Sequence, residues 1–240
     1  MKFQTKIQLL GHATFKVTTP EGRIVIIDPW LIDNPFIREE DKIQEQIDLM
    51  LVTHGHDDHF DVKLPEILAK TQAKLVANPI CRWYLLENGI PETQIEPINY
   101  GGTIELLDVK VTMVQAFHLA HINEPDGKFT HPHGSVGFIL HLSDGLRIYF
   151  AGDTGVFGDM KLIGDIYKPQ VAVLPIGDRY TMGPLEASYA VGMIGSEYVI
   201  PFHYGTFDSL VGKPEDLVER VRDLDGVEVR VLKAGEIWSR

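Results

Sequence analysis

The feature that most constrains this chain is a run of histidine and aspartate side chains placed directly after an apolar strand. In LMLVTHGHDDHF, residues 49–60, the aliphatic run is followed within a few positions by His54, His56, Asp58 and His59. Burying a polar group that has no hydrogen-bond partner costs several kilocalories per mole of folding free energy, so these side chains need a partner group or a bound ion. Imidazole nitrogens and carboxylate oxygens are ligands that zinc accepts in proteins. The run therefore predicts metal binding.

Four donors so close in sequence point in two directions, which predicts two metal ions in one pocket. The additional ligands should follow other strands, and three side chains do. His118 follows VKVTMVQAF, Asp153 follows LRIYFAG and His203 follows EYVIPF. We expect Asp153 to bridge the two metals, one held by His54, His56 and His118 and the other by Asp58, His59 and His203.

The remaining sequence predicts two layers of sheet. Each half of the chain begins with strands and then alternates helix and strand, as in RIVIID and IDLMLVT followed by the helical DVKLPEILAKTQ. This pattern predicts two sheets packed face to face with helices outside. No linker-like segment divides the chain, so we expect residues 1–240 to form a single domain.

The order of these residues, His-x-His-x-Asp-His and then His, Asp and His, resembles the metallo-β-lactamase superfamily. The resemblance implies the α/β fold of that family, an αβ/βα four-layer sandwich of two mixed β-sheets flanked by helices. Asp28 matches an early aspartate that supports the metal ligands in the family, although a purely structural role at the strand end is an alternative.

A finer resemblance links LGHATFKV, YTMGPLEA and PFHYGTF to a lactonase-like branch, which holds uncharacterised metal-dependent hydrolases and L-ascorbate-6-phosphate lactonase. The family varies in the loop that corresponds to HLAHINEPDGKFTHPHGS. This stretch is rich in histidine, so His121 is an alternative to His118 as a ligand.

The predicted chemistry is hydrolysis. Two divalent ions about 3.5–4 Å apart can hold a bridging hydroxide at neutral pH, which would attack a small anionic ester, lactone or phosphodiester. Asp58 is a candidate general base. His12, between two strands, is the second candidate catalytic residue: it could protonate the leaving group in place of Asp58, and we expect it at the pocket edge, where it hydrogen-bonds substrate. The loop from Thr181 to Gly183 precedes a helix, and its amides could face an anion. Zinc suits these donors best, and Mn²⁺, Fe²⁺ or Ni²⁺ also bind them.

Composition limits the other classes of function. The net charge of −12 disfavours a nucleic-acid surface, and no apolar run is long enough to span a membrane. The start lacks the apolar core of a signal peptide, and Cys81 is the one cysteine, so we expect a cytoplasmic protein. Assembly into a homo-oligomer stays open.

Other activities remain as alternatives to this hydrolase. A metal-dependent nuclease of the tRNA-processing type would need a long arm and a basic face, which the sequence lacks. A redox enzyme that uses iron on the same fold would differ in its metal content. A binding protein that has lost its metals would not keep a complete ligand set. The sequence contains neither a Gly-Lys-Ser/Thr phosphate loop nor a Gly-x-Ser-x-Gly elbow.

Overall fold

A computed structural model describes residues 4–124 and 127–239 of the chain. The first of its two seven-stranded sheets contains β1 (Lys6–Gly11), β2 (Thr14–Thr18), β3 (Ile24–Ile27), β4 (Leu49–Leu51), β5 (Lys74–Ala77), β6 (Ile95–Pro97) and the last strand of the chain, β14 (Ile237–Trp238). The second contains β7 (Thr103–Leu106), β8 (Val109–Asn123), β9 (Phe129–His141), β10 (Arg147–Phe150), β11 (Val171–Pro175), β12 (Tyr198–Phe202) and β13 (Glu228–Val229). The helices are α1 (Glu39–Lys42), α2 (Leu64–Thr71), α3 (Pro79–Glu87), α4 (Met160–Tyr167), α5 (Pro184–Ile194) and α6 (Pro214–Val221).

The two sheets have the same internal plan. The first runs β14-β1-β2-β3-β4-β5-β6 and the second runs β7-β8-β9-β10-β11-β12-β13. In each order the first three pairings are antiparallel and the last three are parallel. This plan confirms the predicted pattern of strands first and alternating helix and strand afterwards.

Alternation along the strands separates the layers. Leu49 and Leu51 of β4 belong to an apolar cluster that also holds Phe138 and Ile148 of the second sheet, whereas Met50, between them, packs with the helices. A strand that is apolar at every position is buried on both faces, as the sequence RIVIID and IDLMLVT indicated. The sandwich fold predicted from the sequence is therefore confirmed.

Helices cover the outer face of each sheet. Leu68 of α2 and Leu85 of α3 pack against the first sheet. Met160 of α4, Ala187 of α5 and Leu217 of α6 pack against the second. Within the described ranges, no helix is long and apolar enough to cross a membrane.

The hairpin of β8 and β9 differs from the sequence-based expectation. We expected His118 to end a strand and the stretch after it to be a loop, but β8 continues to Asn123 and pairs with β9 as far as Phe129. The pairing register shifts between Gln115 and Leu119, so His118 lies at an irregularity within the strand. Such a bulge interrupts the two-residue alternation, which is why the sequence pattern ended there.

Several candidate residues lie just past the ends of strands that run in parallel. Asp28 follows β3, His54 lies three residues beyond β4, Asp153 lies three residues beyond β10, and His203 follows β12. The carboxyl ends of parallel strands share an edge of a sheet, which is where open α/β sheets build their sites. The two facing sheets bring these edges together.

Candidate metal centre

The first donor group consists of three imidazoles, from His54, His56 and His118. The Nε2 atom of His54 lies 3.0 Å from Nδ1 of His56, and Nε2 of His118 lies 3.4 Å from the same Nδ1 atom. One ring nitrogen from each residue falls within 4.8 Å of the others. This is the set that the sequence predicted for one metal.

The second donor group consists of Asp58, His59 and His203. The Nε2 atom of His203 lies 3.5 Å from Asp58 Oδ2, and the Nε2 atom of His59 lies 4.0 Å from Asp58 Oδ1. Donor atoms of these three residues and of His12 lie within 4.8 Å of one another. The turn that carries Asp58 is closed by backbone N–H groups of His59 and Phe60, which both donate to the carbonyl of His56.

The Asp153 carboxylate lies between the two donor groups. Its Oδ1 atom is 3.3 Å from His59 Nε2, and its Oδ2 atom is 3.2 Å from His203 Nε2. The same Oδ2 atom lies 3.9 Å from Nε2 of both His54 and His118. One carboxylate therefore reaches donors of both groups, as expected of a bridging ligand.

Unsatisfied atoms in the cluster fit metal binding. His59 Nε2, His203 Nε2 and Asp153 Oδ1 are buried and have no hydrogen-bond partner of good geometry. Native proteins rarely bury such atoms unless a water or an ion completes them. Both ring nitrogens lie close to the Asp153 carboxylate, at 3.3 Å from Oδ1 for His59 and 3.2 Å from Oδ2 for His203. The donor set is therefore one that divalent cations would complete.

Protonation also favours cation binding in the first donor group. Burial lowers the pKa of His56 to about 4, lowers that of His118, and lowers that of His54 well below its usual value. These rings are therefore neutral at pH 7. A neutral imidazole offers a lone pair, which is the form that ligates metals.

In the second donor group, the imidazoles of His59 and His203 hold protons in the absence of cations. Burial alone would lower the pKa of His59 and His203. The Asp153 carboxylate outweighs that effect, raising the pKa of His203 to about 9 and that of His59 well above its usual value. Burial would also raise the pKa of Asp153, but His203 and His59 hold it well below its ordinary value. Cations bound here would displace those protons, because a metal ligand must be deprotonated.

Asp28 orients ligands of both groups from behind. Its Oδ2 atom lies 2.7 Å from Nδ1 of His59 and accepts the Thr53 hydroxyl at 2.8 Å, and its Oδ1 atom accepts the Thr53 N–H at 2.7 Å. The Thr53 oxygen lies 2.9 Å from Nδ1 of His54. These bonds place the protons on Nδ1 of both rings, so that each Nε2 lone pair faces the cluster.

The positions of His118 and His121 show which of the two histidines is placed to bind a metal with His54 and His56. The Nε2 atom of His118 lies 3.4 Å from Nδ1 of His56 and 3.9 Å from Oδ2 of Asp153. The His121 ring packs edge-on against His56 and against Phe129, at centroid distances of 4.9 and 4.5 Å. Among the residues that the structure describes, His121 joins no donor group. The geometry favours His118 as the ligand.

His12 lies deeper than the expected pocket edge. Its side chain is fully buried beside Asp58 and does not line the cavity that Asp58 and Asp153 line. Its Nε2 atom lies 3.1 Å from Asp58 Oδ2, its Nδ1 atom lies 2.6 Å from Thr206 Oγ1, and its ring packs 4.3 Å from that of His203. His12 therefore positions Asp58.

The loop from Thr181 to Gly183 also differs from expectation. The Thr181 N–H donates to the Asp178 carbonyl, and the Gly183 N–H donates to the Glu186 carboxylate at the start of α5. The Met182 N–H is taken by a backbone carbonyl as well. These amides are engaged within the protein, so they are not free to bind an anionic substrate.

Several residues that support the donors were not predicted from the sequence. Thr53 and Thr206 hydrogen-bond site residues, and the Nε2 atom of His133 accepts the Gly55 N–H at 3.1 Å within the His-x-His segment. Gly55 itself is tightly enclosed, since a Cβ atom there would lie 2.5 Å from the Ile122 side chain. The position of Thr53 directly before His54 was a usable signal, whereas nothing local marked Thr206 or His133.

A cavity of about 720 Å³ opens beside the cluster. Residues of both donor groups line it, together with the bridging Asp153, so a small molecule in this cavity would reach any bound cations. A volume of this size is typical of small-molecule sites.

Comparison with known proteins agrees with the geometry. Residues 6–203 match the family model described as a beta-lactamase superfamily domain. A UPF0173 metal-dependent hydrolase of Rubrobacter xylanophilus is 45% identical over 233 residues, covering 97% of this chain and 95% of that protein. One from Chloroflexus aurantiacus is 43% identical and covers 97% and 96% of the two chains.

A solved structure extends this similarity to three dimensions. Igni18, described as a novel metallo hydrolase from the archaeon Ignicoccus hospitalis, has a TM-score of 0.83 and 32% identity, with 98% of each chain covered. The finer resemblance to a lactonase-like branch stays a prediction. On the family match, the relatives and the shared fold, this chain belongs to the metallo-β-lactamase superfamily.

Proposed function

We propose that this chain is a dinuclear metal-dependent hydrolase that cleaves a small ester, lactone or phosphodiester. The observation that carries the proposal is the position of Asp153, whose Oδ2 atom lies within 3.9 Å of ring nitrogens from both donor groups. A single cation would need only one of the groups. Two groups that share one carboxylate match the needs of a pair of cations, most suitably zinc.

The residues would divide the work as follows. His54, His56 and His118 would hold one cation, and Asp58, His59 and His203 the other, with Asp153 between them. Bound divalent cations would lower the pKa of water and polarise the bond to be cleaved. The remaining steps belong to the protein's own side chains.

Asp58 is the proposed proton carrier. Its side chain is 26% exposed, and it lines the cavity. His12 and His203 approach its Oδ2 atom, at 3.1 and 3.5 Å, which leaves Oδ1 to accept a proton from the attacking water. The same oxygen can then return the proton to the leaving alcohol, as general acid–base catalysis requires.

Metal analysis combined with activity tests the proposal. We expect the purified protein to carry zinc or a related divalent ion and to hydrolyse p-nitrophenyl esters, simple lactones or bis-p-nitrophenyl phosphate. His56→Ala should lower the metal content and reduce kcat/KM on the order of 100-fold or more, because it removes a ligand of the first donor group.

His141→Ala is the matched control. His141 lies on β9 outside the cluster, and its Nε2 atom is 3.4 Å from the Thr112 hydroxyl. Its removal should leave metal content and activity unchanged. Equal activity of His56→Ala and the wild-type protein would contradict the assignment, and a single iron per chain with no hydrolysis would favour a redox enzyme instead.

The cellular location and the kind of partner are also proposals. The Cys81 thiol is buried and unpaired, which suits a reducing compartment, and we propose that the protein works in the cytoplasm. The net charge of −12 supports a small molecule as the partner in preference to a nucleic acid.

A further inference from the structure

One wall of the cavity is aromatic. Trp30 and Phe207 line it, and their rings are nearly parallel, with centroids 6.5 Å apart. Phe36 supports both from behind, at centroid distances of 6.2 Å from Trp30 and 5.2 Å from Phe207. Tyr180 also lines the cavity. Such a surface gains free energy mainly by removing apolar groups from water.

Hydrogen bonds fix the segment that carries Trp30. The buried amide of Asn34 donates to the Trp30 carbonyl at 3.0 Å and accepts the Phe36 N–H at 2.9 Å. The Asp61 carboxylate accepts the N–H groups of Leu31 and Ile32, the two residues that follow Trp30. The aromatic wall is therefore preformed, and a ligand would spend little free energy in ordering it.

The fixed charges of the cavity are acidic. Its lining includes four carboxylates, from Asp33, Asp57, Asp58 and Asp153, and no lysine or arginine among the described residues. Two divalent cations would carry four positive charges, so the lining carboxylates alone would balance them. With neutral imidazoles, the cavity would offer no net positive charge to attract an anion.

Two basic side chains contact residues of the lining, but neither lines the cavity itself. Lys63 pairs with Asp33 at 2.9 Å, and Arg179 lies over the Tyr180 ring with its guanidinium carbon 5.6 Å from the centroid. Asp57, the other exposed acid of the lining, accepts the Asn123 side-chain amide at 2.6 Å. This arrangement does not support the anionic substrate expected from the sequence.

We propose that the substrate is an uncharged ester or lactone whose apolar group packs on Trp30 and Phe207. The inference rests on the proposed hydrolase function and narrows its substrate class. Hydrolysis would break the acyl C–O bond and add water across it, giving a carboxylic acid and an alcohol, or a hydroxy acid from a lactone. At pH 7 the acid ionises, so the Asp57 carboxylate would repel the product and favour its release.

Matched ligands test this preference in the metal-loaded wild-type protein. Hexananilide and adipic acid monoanilide differ by a terminal carboxylate and resist hydrolysis, so calorimetry measures their binding without turnover. The corresponding esters, p-nitrophenyl hexanoate and mono-p-nitrophenyl adipate, report kcat/KM. We expect the uncharged member of each pair to be favoured by about tenfold or more, because the balanced cavity would offer a carboxylate no net positive charge in return for the hydration it loses.

Variants locate the apolar contact. Phe207→Ala and Trp30→Ala should each raise KM for the hexanoate by about tenfold and should lessen the preference over the adipate. Trp83→Ala is the matched control, since Trp83 is a half-exposed tryptophan on α3 that does not line the cavity. It should leave unchanged both the KM for the hexanoate and the preference for the hexanoate over the adipate.

The outcomes separate the two proposals. Metal-dependent turnover that favours the adipate, with tighter binding of the monoanilide, would overturn the uncharged substrate while supporting the hydrolase. Preferential binding of hexananilide without turnover of any ester would refute the hydrolase and support the apolar, uncharged ligand. Equal binding of the two anilides would overturn the inference.

Discussion

Replacing Asp28 with asparagine should weaken metal binding without removing any metal ligand. The carboxylate accepts three hydrogen bonds, two from Thr53 and one from His59. An asparagine of the same shape has one acceptor oxygen and one donor NH₂ group. If its oxygen takes the Oδ2 position, the NH₂ group faces the Thr53 N–H, and two donors meet at about 2.7 Å.

The opposite orientation has a different cost. With the NH₂ group at the Oδ2 position, it would donate to His59 Nδ1 and move the ring proton to Nε2. That proton would occupy the lone pair that faces Asp58 and Asp153. Either orientation disturbs the donors, so we expect metal affinity to fall by about 10- to 100-fold. The unpaired donor should also reduce stability by about 1–3 kcal/mol.

Competition with a chromogenic zinc chelator measures the affinity, and thermal unfolding of the metal-free and zinc-loaded forms measures the stability. Asp144→Asn is the matched control. Its carboxylate likewise accepts a backbone N–H and a hydroxyl from one threonine, Thr5, but in the turn before β10, at the opposite end of that strand from Asp153. This control should lose stability and keep its zinc affinity. Zinc affinity of Asp28→Asn within twofold of wild type would refute the proposed role of Asp28.

Three further predictions concern the rest of the molecule. Gly164→Ala should destabilise the protein by about 1–3 kcal/mol in chemical unfolding, because its Cβ would lie 2.4 Å from a backbone oxygen of α5. Gly192→Ala, with open space around its Cβ, should stabilise it by about 0.5–1 kcal/mol, and equal effects would contradict the packing. Burial raises the pKa of the Cys81 thiol to about 12, so Ellman's reagent at about pH 8 should label it only after unfolding, and rapid labelling of the native protein would contradict its burial. Burial would lower the pKa of His203, but the Asp153 carboxylate raises it to about 9 in the metal-free protein. The ion pair between His203 and Asp153 therefore stabilises the fold fully below about pH 6.5, and this stabilisation is lost as the pH rises through about 9. The Tm of the metal-free protein should fall over that range, and a rising Tm would contradict the ion pair.

The fold could be predicted because each layer leaves a regular trace in the sequence. Strands such as β4 and β11 are apolar at every position, and the amphipathic helices follow them at the spacing of βαβ units. Two short edge strands could not be predicted. β6 and β14 contain three and two residues, too few for a period to show, and β14 pairs with β1 from the opposite end of the chain, whereas the alternation in VEVRVL did predict β13.

The donors could be predicted from residue type and position at strand ends, but their surroundings could not. His12, Asp28 and His203 have backbone φ values of 57°, 51° and 57°, in the left-handed region that non-glycine residues rarely adopt. Strand alternation does not carry through such a residue, so it gives no direction for the side chain. This is why His12 was expected at the pocket edge and lies behind Asp58 instead. Backbone strain of this kind is concentrated at functional sites.

The charge of the cavity shows a similar limit. The pair of cations expected from the sequence suggested an anionic substrate, because neither the direction of the Asp57 side chain nor the position of Asp33 could be predicted from it. Asp33 belongs to the loop after β3, and Asp57 lies within the His-x-His-x-Asp-His run, yet both line the cavity. Only the tertiary structure brings them to the same side as the donors.

An anomalous difference map, collected at the zinc absorption edge from crystals of the zinc-loaded protein, would show directly whether the centre holds two metals. We expect two peaks about 3.5–4 Å apart, one beside His54, His56 and His118 and the other beside Asp58, His59 and His203, with the Asp153 carboxylate between them. A single peak, or peaks away from these side chains, would contradict this arrangement.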